Sequence, residues 1–135
     1  MSAPRLPDWQ ARYGAFVESR RLMPFAWGSN DCCTLAADCA KAITGVDPIP
    51  AALRNHGDEK AALRRLEALG GVGGVGDAFA GPVVPVLMAR VGDVGLVHAE
   101  GREGLAVCNG ETWLTVGRDG LVTLPLRAAT RAWRV

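Results

Sequence analysis

The residues best equipped for chemistry lie in one stretch, Pro24-Phe25-Ala26-Trp27-Gly28-Ser29-Asn30-Asp31-Cys32-Cys33-Thr34-Leu35. Asp31 has the side chain of a helix N-cap, and the apolar spacing that follows it is helical. A cysteine in the first turn of such a helix faces unsatisfied backbone N–H groups and the positive end of the macrodipole. Both favour thiolate over thiol, which is how a cysteine becomes nucleophilic near neutral pH. Trp27-Gly28 adds a bulky wall and a flexible turn beside it. On helix periodicity alone a blander reading is favoured: Asp31 only caps, and Cys32 and Cys33 are small buried residues.

The other thiols do not complete a familiar set. Cys32, Cys33 and Cys39 crowd together while Cys108 is remote, which matches neither a disulfide framework nor zinc-knuckle spacing. No metal or cofactor is expected, although a metal-binding or redox module built on the cysteines stays open as an alternative. Histidine is scarce: His56 lies in a polar turn before Gly57-Asp58, and His98 ends an apolar run. Gly70-Gly71-Val72-Gly73-Gly74-Val75-Gly76 lacks the lysine and strand–turn–helix setting of a phosphate loop. Glu100 and Glu103 flank a turn without the paired spacing of glycosidase acids.

These groups need elements to position them. Asp8 can cap a helix with Trp9, Tyr13, Phe16 and Val17 on one face, ended by Pro24. Asp31 caps a second, through Leu35, Ala36 and Cys39 to Ile43, with Gly45 as its stop. A third starts near Asp58 and runs through Leu63, Leu66 and Leu69 to Gly70-Gly71. The Gly-rich segment from Gly70 to Pro85 is expected to be a long loop or a short irregular helix. Four strands follow, at 91–97, 105–108, 113–116 and 121–124, joined by turns at 101–104, Asn109-Gly110 and Asp119-Gly120. Such a sheet must be covered, and the helices can cover it, so the fold class is α+β with N-terminal helices on a C-terminal antiparallel sheet.

Bulk properties narrow the function. The 135 residues suit one domain, 1–135, and 49% apolar content can build a core. Fifteen Lys and Arg against fourteen Asp and Glu leave a net charge of +1, which argues against nucleic-acid binding through bulk charge. Apolar runs fall short of the ~20 residues of a membrane span, so none is expected. The opening Met1-Ser2-Ala3-Pro4-Arg5-Leu6-Pro7-Asp8 shows no secretory h-region. Among the aromatics, Trp113 and Trp133 are the candidates for burial at a protein interface, and Trp133 is expected instead to close the core.

Trp27-Gly28-x-x-Asp31-Cys32 at a helix start resembles the nucleophile motif of NlpC-type, papain-like cell-wall cysteine peptidases. Gly92-Asp93 before Val94-Gly95-Leu96-Val97 resembles the pair that opens that family's first strand. Gly45-Val46-Asp47-Pro48 and Trp133-Arg134 are similar to features of its phage-tail branch, and the resemblance spans roughly residues 9 to 135. It implies a papain-like fold, Cys32 as nucleophile, and structural roles for Trp27, Gly28, Asp31 and Asp93. It also implies a histidine just before the second strand, where this chain has Gly104. A catalytic base would then have to be displaced to His98 or His56. Two expectations follow from the resemblance. One is a virion component of the phage tail tip, made in the host cytoplasm, contacting tail-hub proteins, with its catalysis lost. The other is an active peptidase or amidase acting on the stem peptide of peptidoglycan.

Overall fold

The computed structural model describes residues 3–49 and 59–135, so the segment holding His56, Asp58 and the expected start of the third helix lies outside the described residues. Helix α1 spans Trp9–Arg20, α2 Cys32–Thr44, α3 Glu59–Ala68 and α4 Gly71–Phe79. Six strands follow: β1 Val83–Val84, β2 Val94–Ala99, β3 Arg102–Cys108, β4 Thr112–Gly117, β5 Gly120–Pro125 and β6 Ala129–Trp133. They form one antiparallel sheet in the order β1-β6-β2-β3-β4-β5. The architecture is α+β, helices first and sheet second, as the sequence pattern predicts.

Local signals account for α2. Asp31 and Thr34 form a reciprocal capping box at its start, and Gly45 at φ 81° ends it. At α1 the cap differs from expectation. Asp8 holds the N-cap position, but its carboxylate accepts from Arg12 Nε at 2.8 Å, one turn on, instead of from the helix amides. The chain leaves α1 at Arg20, before Pro24 is reached.

Within the Gly-rich segment, Gly71–Phe79 forms α4, the short irregular helix that is one of the two expected forms: Gly71 at its start has φ 85°, and Gly76 makes room for a neighbour. A Cβ on Gly76 would lie 2.3 Å from the Trp133 ring, which occupies that space. Trp133 is fully buried, and its indole N–H donates to Asp77 Oδ1 at 3.1 Å, so it closes the core as expected. Two strands go beyond the predicted four. β6 pairs with β2 in the middle of the sheet, and the two-residue β1 borders β6.

The sheet separates two apolar clusters. Tyr13, Leu35, Cys39, Ile43 and Val75 pack with Val94, Leu96, Leu105, Val107 and Trp133. The second cluster contains Val97, Ala106, Cys108, Trp113, Ala129 and Ala132. Trp113 therefore does not serve an interface. It is fully buried over Gly95, where a Cβ would come within 2.6 Å of the ring, and its N–H donates to the Leu126 carbonyl. The polar Glu111 and Thr112 beside it mark only where β4 begins.

Asp93, at the entrance to β2, is fully buried and heavily bonded. Its Oδ1 accepts from Arg5 Nη2 at 3.1 Å and from the Val135 N–H at 2.9 Å; Oδ2 accepts from the Arg90 N–H. Arg5 also donates to the carbonyls of Val91 and Val135. A buried carboxylate needs this company, since an unpaired one would be costly.

Candidate active site

Cys32 is the first residue of α2, set by the turn before it. Asp31 Oδ1 accepts from the Thr34 N–H and Oδ2 from the Gly28 N–H, both at 2.9 Å, while Thr34 Oγ1 accepts from the Asp31 N–H at 2.8 Å. One buried carboxylate thus fixes both the helix start and the Trp27-Gly28 turn. Trp27 meets Phe25 edge to face, with centroids 4.7 Å apart.

Asn30 is the organiser that sequence reasoning missed. It is 1% exposed; its Nδ2 donates to the carbonyls of Met23 and Pro24, and its Oδ1 accepts from Arg20 Nη1. Arg20 also pairs with Asp38 of α2, so the end of α1 holds the whole nucleophile loop. In the sequence Asn30 is only one of two unspecified letters between Gly28 and Asp31. No composition or spacing signal marks it.

The thiols differ in what surrounds them. Cys32 is partly exposed, and its thiol is held below the usual value chiefly by the Cys33 S–H bonding to it, helped by the Leu105 backbone N–H. Burial and the Asp31 charge oppose that lowering. Cys33 moves the opposite way: its bond to Cys32 and its burial both hold its proton in place. Burial pushes the Cys39 thiol up to about 12 and raises that of Cys108. Cys39 and Cys108 sit in different apolar clusters. Among the described residues no group of three or more His, Cys, Asp or Glu is placed to hold a metal ion.

Opposite the nucleophile stands β3. A Cβ built on Gly104 would lie 3.9 Å from Cys32 Cβ and 4.0 Å from Cys32 Sγ. The position at which the resemblance implies a histidine therefore does meet Cys32 in space, and it carries no side chain. His98 pairs across the hairpin with Glu103, but its Nε2 lies 3.0 Å from Thr130 Oγ1 on β6. Its imidazole is engaged on the strand that flanks β2 away from Gly104. Val97 and Ala99, its neighbours on β2, line the cleft that contains Cys32.

That cleft has a volume of about 1150 Å³ and runs past Trp27, Cys32, Leu66, Glu103, Gly104 and Thr115. Its lining mixes apolar residues such as Leu66, Val72 and Phe79 with charged ones such as Arg65, Arg102 and Glu103, and no imidazole stands beside the Cys32 sulfur among the described residues.

The fold has a relative among solved structures. The NlpC/p60 domain of the peptidoglycan hydrolase SagA superposes with a TM-score of 0.58 over 93% of this chain and 97% of that one, at 16% identity. At that identity the likeness is one of fold, and it shows the chain to be NlpC-like and papain-like in architecture. No curated protein matches the sequence. A family model described as Domain of unknown function (DUF6950) matches residues 4–135, nearly the whole chain, and the chain belongs to that family.

Proposed function

We propose that this chain is a phage tail-tip component, an NlpC-fold domain that keeps the nucleophile half of a peptidase site and has lost the base. The observation that carries the loss is Gly104 facing Cys32 Sγ at 4.0 Å from its would-be Cβ. A peptidase of this type needs a group there that removes a proton and later returns it to the leaving amine. The assignment to the tail rests on the resemblance of Gly45-Val46-Asp47-Pro48 and Trp133-Arg134 to the phage-tail branch. On this reading the protein sits in the virion beside tail-hub proteins, and peptidoglycan is a surface that it meets. Trp113, being core, plays no part in those contacts.

Two experiments test it. Purified muropeptides incubated with the protein are expected to remain intact. Cleavage that disappears in Cys32→Ser would establish the active-peptidase reading, with His98 or His56 as base. Mass spectrometry of purified tail particles should find the chain's peptides, and their absence would remove the tail assignment.

A further inference from the structure

We propose that the 3₁₀ turn after β1, Val86–Met88, is a membrane-surface contact: Leu87 and Met88 enter the headgroup boundary of an anionic lipid bilayer, and Arg90 and Arg134 meet its phosphate groups. From Ala78 to Ala89 no side chain carries a charge or a hydrogen-bonding group. Part of that run serves the core, since Val84, Val86 and Ala89 pack against the second apolar cluster. Leu87 and Met88 do not: they are 84% and 64% exposed, and Val83, on the edge strand that leads into the turn, is 61% exposed. The backbone holds them there. The Met88 N–H donates to the Pro85 carbonyl and the Arg134 N–H to the Pro82 carbonyl, both at 2.8 Å, while Arg134 Nη2 donates to the Met88 carbonyl at 3.0 Å. Pro82 and Pro85 fix φ on either side of β1. A braced turn that keeps two adjacent large apolar side chains in water marks a contact site.

The charge around the turn selects the occupant. Arg90 is exposed, and its guanidinium has no carboxylate partner among the described residues. Arg134 shares the one buried carboxylate of Asp93 with Arg5, so positive charge is in excess beside Met88. A second copy docked here would set this basic rim against itself. Two turn residues and a two-residue strand also fall far short of the ~800 Å² per partner that a stable protein interface buries. They suffice for a bilayer surface, where apolar side chains enter the acyl boundary and basic residues meet anionic headgroups. The contact is weak and reversible. It is independent of Cys32, whose cleft none of residues 82–90 lines.

The test is co-sedimentation of the intact protein with vesicles of phosphatidylcholine alone and of phosphatidylcholine mixed with phosphatidylglycerol. The mixed vesicles should carry down at least ~10-fold more protein, and less as salt is added. The double variant Leu87→Ser, Met88→Ser should lower partition onto the mixed vesicles by ~10-fold or more. Arg90→Gln should lower it by about 5-fold. A denaturant melt checks that each variant is folded, and Arg90→Gln keeps the test readable if the double variant melts early. Absence of binding to the mixed vesicles, or undiminished binding by either folded variant, overturns the proposal. So does a dimer, seen by light scattering, that the double variant abolishes, because the turn would then be a contact between copies.

Discussion

The Cα of Gly104 is aimed so that a side chain there would touch the Cys32 sulfur: its Cβ would lie 4.0 Å away, at ordinary van der Waals distance. Gly104 is not among the glycines with positive φ, so an L-residue fits its backbone. Gly104→His should therefore fold with a stability change within ~1 kcal/mol. It should also supply the missing base, raising steady Cys32-dependent hydrolysis of 4-nitrophenyl butyrate by about 100-fold or more. Activity should rise with pH through the imidazole range near ~6.5. Comparison of steady rates in wild type and variant checks this; equal rates in a folded variant would mean that the two positions do not cooperate.

Thiol labelling should distinguish the cysteines of α2. Cys32 is lowered by its Cys33 hydrogen bond, whereas burial raises Cys39. At about pH 7, iodoacetamide should modify Cys32 ahead of Cys39. Cys33→Ala should move the Cys32 labelling curve to higher pH, because the thiolate loses its donor. A Cys39 that reacts as fast as Cys32 would contradict both placements.

The buried thiols also set an alkaline limit. Cys39 holds its proton to about 12, against an ordinary value of 9.0. Between those values the unfolded chain releases a proton that the folded protein keeps, so stability falls as pH rises. Burial raises Tyr13 in the same direction. Denaturant melts from about pH 8 to about pH 11 should show a falling stability, with a shallower fall in Cys39→Ala. Parallel slopes in the two proteins would show that Cys39 is not the titrating group.

Asp31 should matter to stability as well as to the site. Its two oxygens serve the amides of Thr34 and Gly28 at 4% exposure. Asp31→Ala should cost ~1–2 kcal/mol by denaturant melt and slow Cys32 labelling, since the turn before it loosens. A stability loss with unchanged labelling would separate the cap from the site.

Trp113 should behave as core. Trp113→Ala should destabilise by ~3–5 kcal/mol, through the cavity left over Gly95 and the unpaired Leu126 carbonyl. Near-native melting of the variant would restore it to the surface.

How far the sequence could be read follows from the range of each signal. The start of α2 at Asp31 and its end at Gly45 are legible because capping is local. The β3 and β4 hairpins are legible from their turn residues. The choice between loop and helix for α4 is not, since Gly76 reads as a breaker until the ring of Trp133, far along the chain, is seen to fill the space beside it. β6 hides for a similar reason: its partner β2 precedes it by two hairpins. Trp113 misleads because its polar neighbours lie next to it in sequence, whereas its burial depends on Gly95 and Leu126. At the site, Cys32 and the vacant position 104 can be found from the order of motifs. Asn30 cannot, because its importance lies in the carbonyls of Met23 and Pro24 folding back onto it.

The two apolar clusters carry a consequence for the order in which the molecule is built. α2 buries Leu35, Cys39 and Ile43 in a cluster shared with Val94, Leu96, Leu105 and Val107, all of which emerge much later during synthesis. Until β2 and β3 dock, α2 can pack only on α1, through residues such as Tyr13 and Phe16, and lacks the sheet side of its cluster. The Leu105 N–H that supports the Cys32 sulfur arrives in the same event. A nascent or partly folded chain therefore lacks the sheet's share of the lowering at Cys32, the Leu105 N–H, and keeps only what its neighbour Cys33 supplies. During refolding, the rate of Cys32 labelling becomes a clock for that closure.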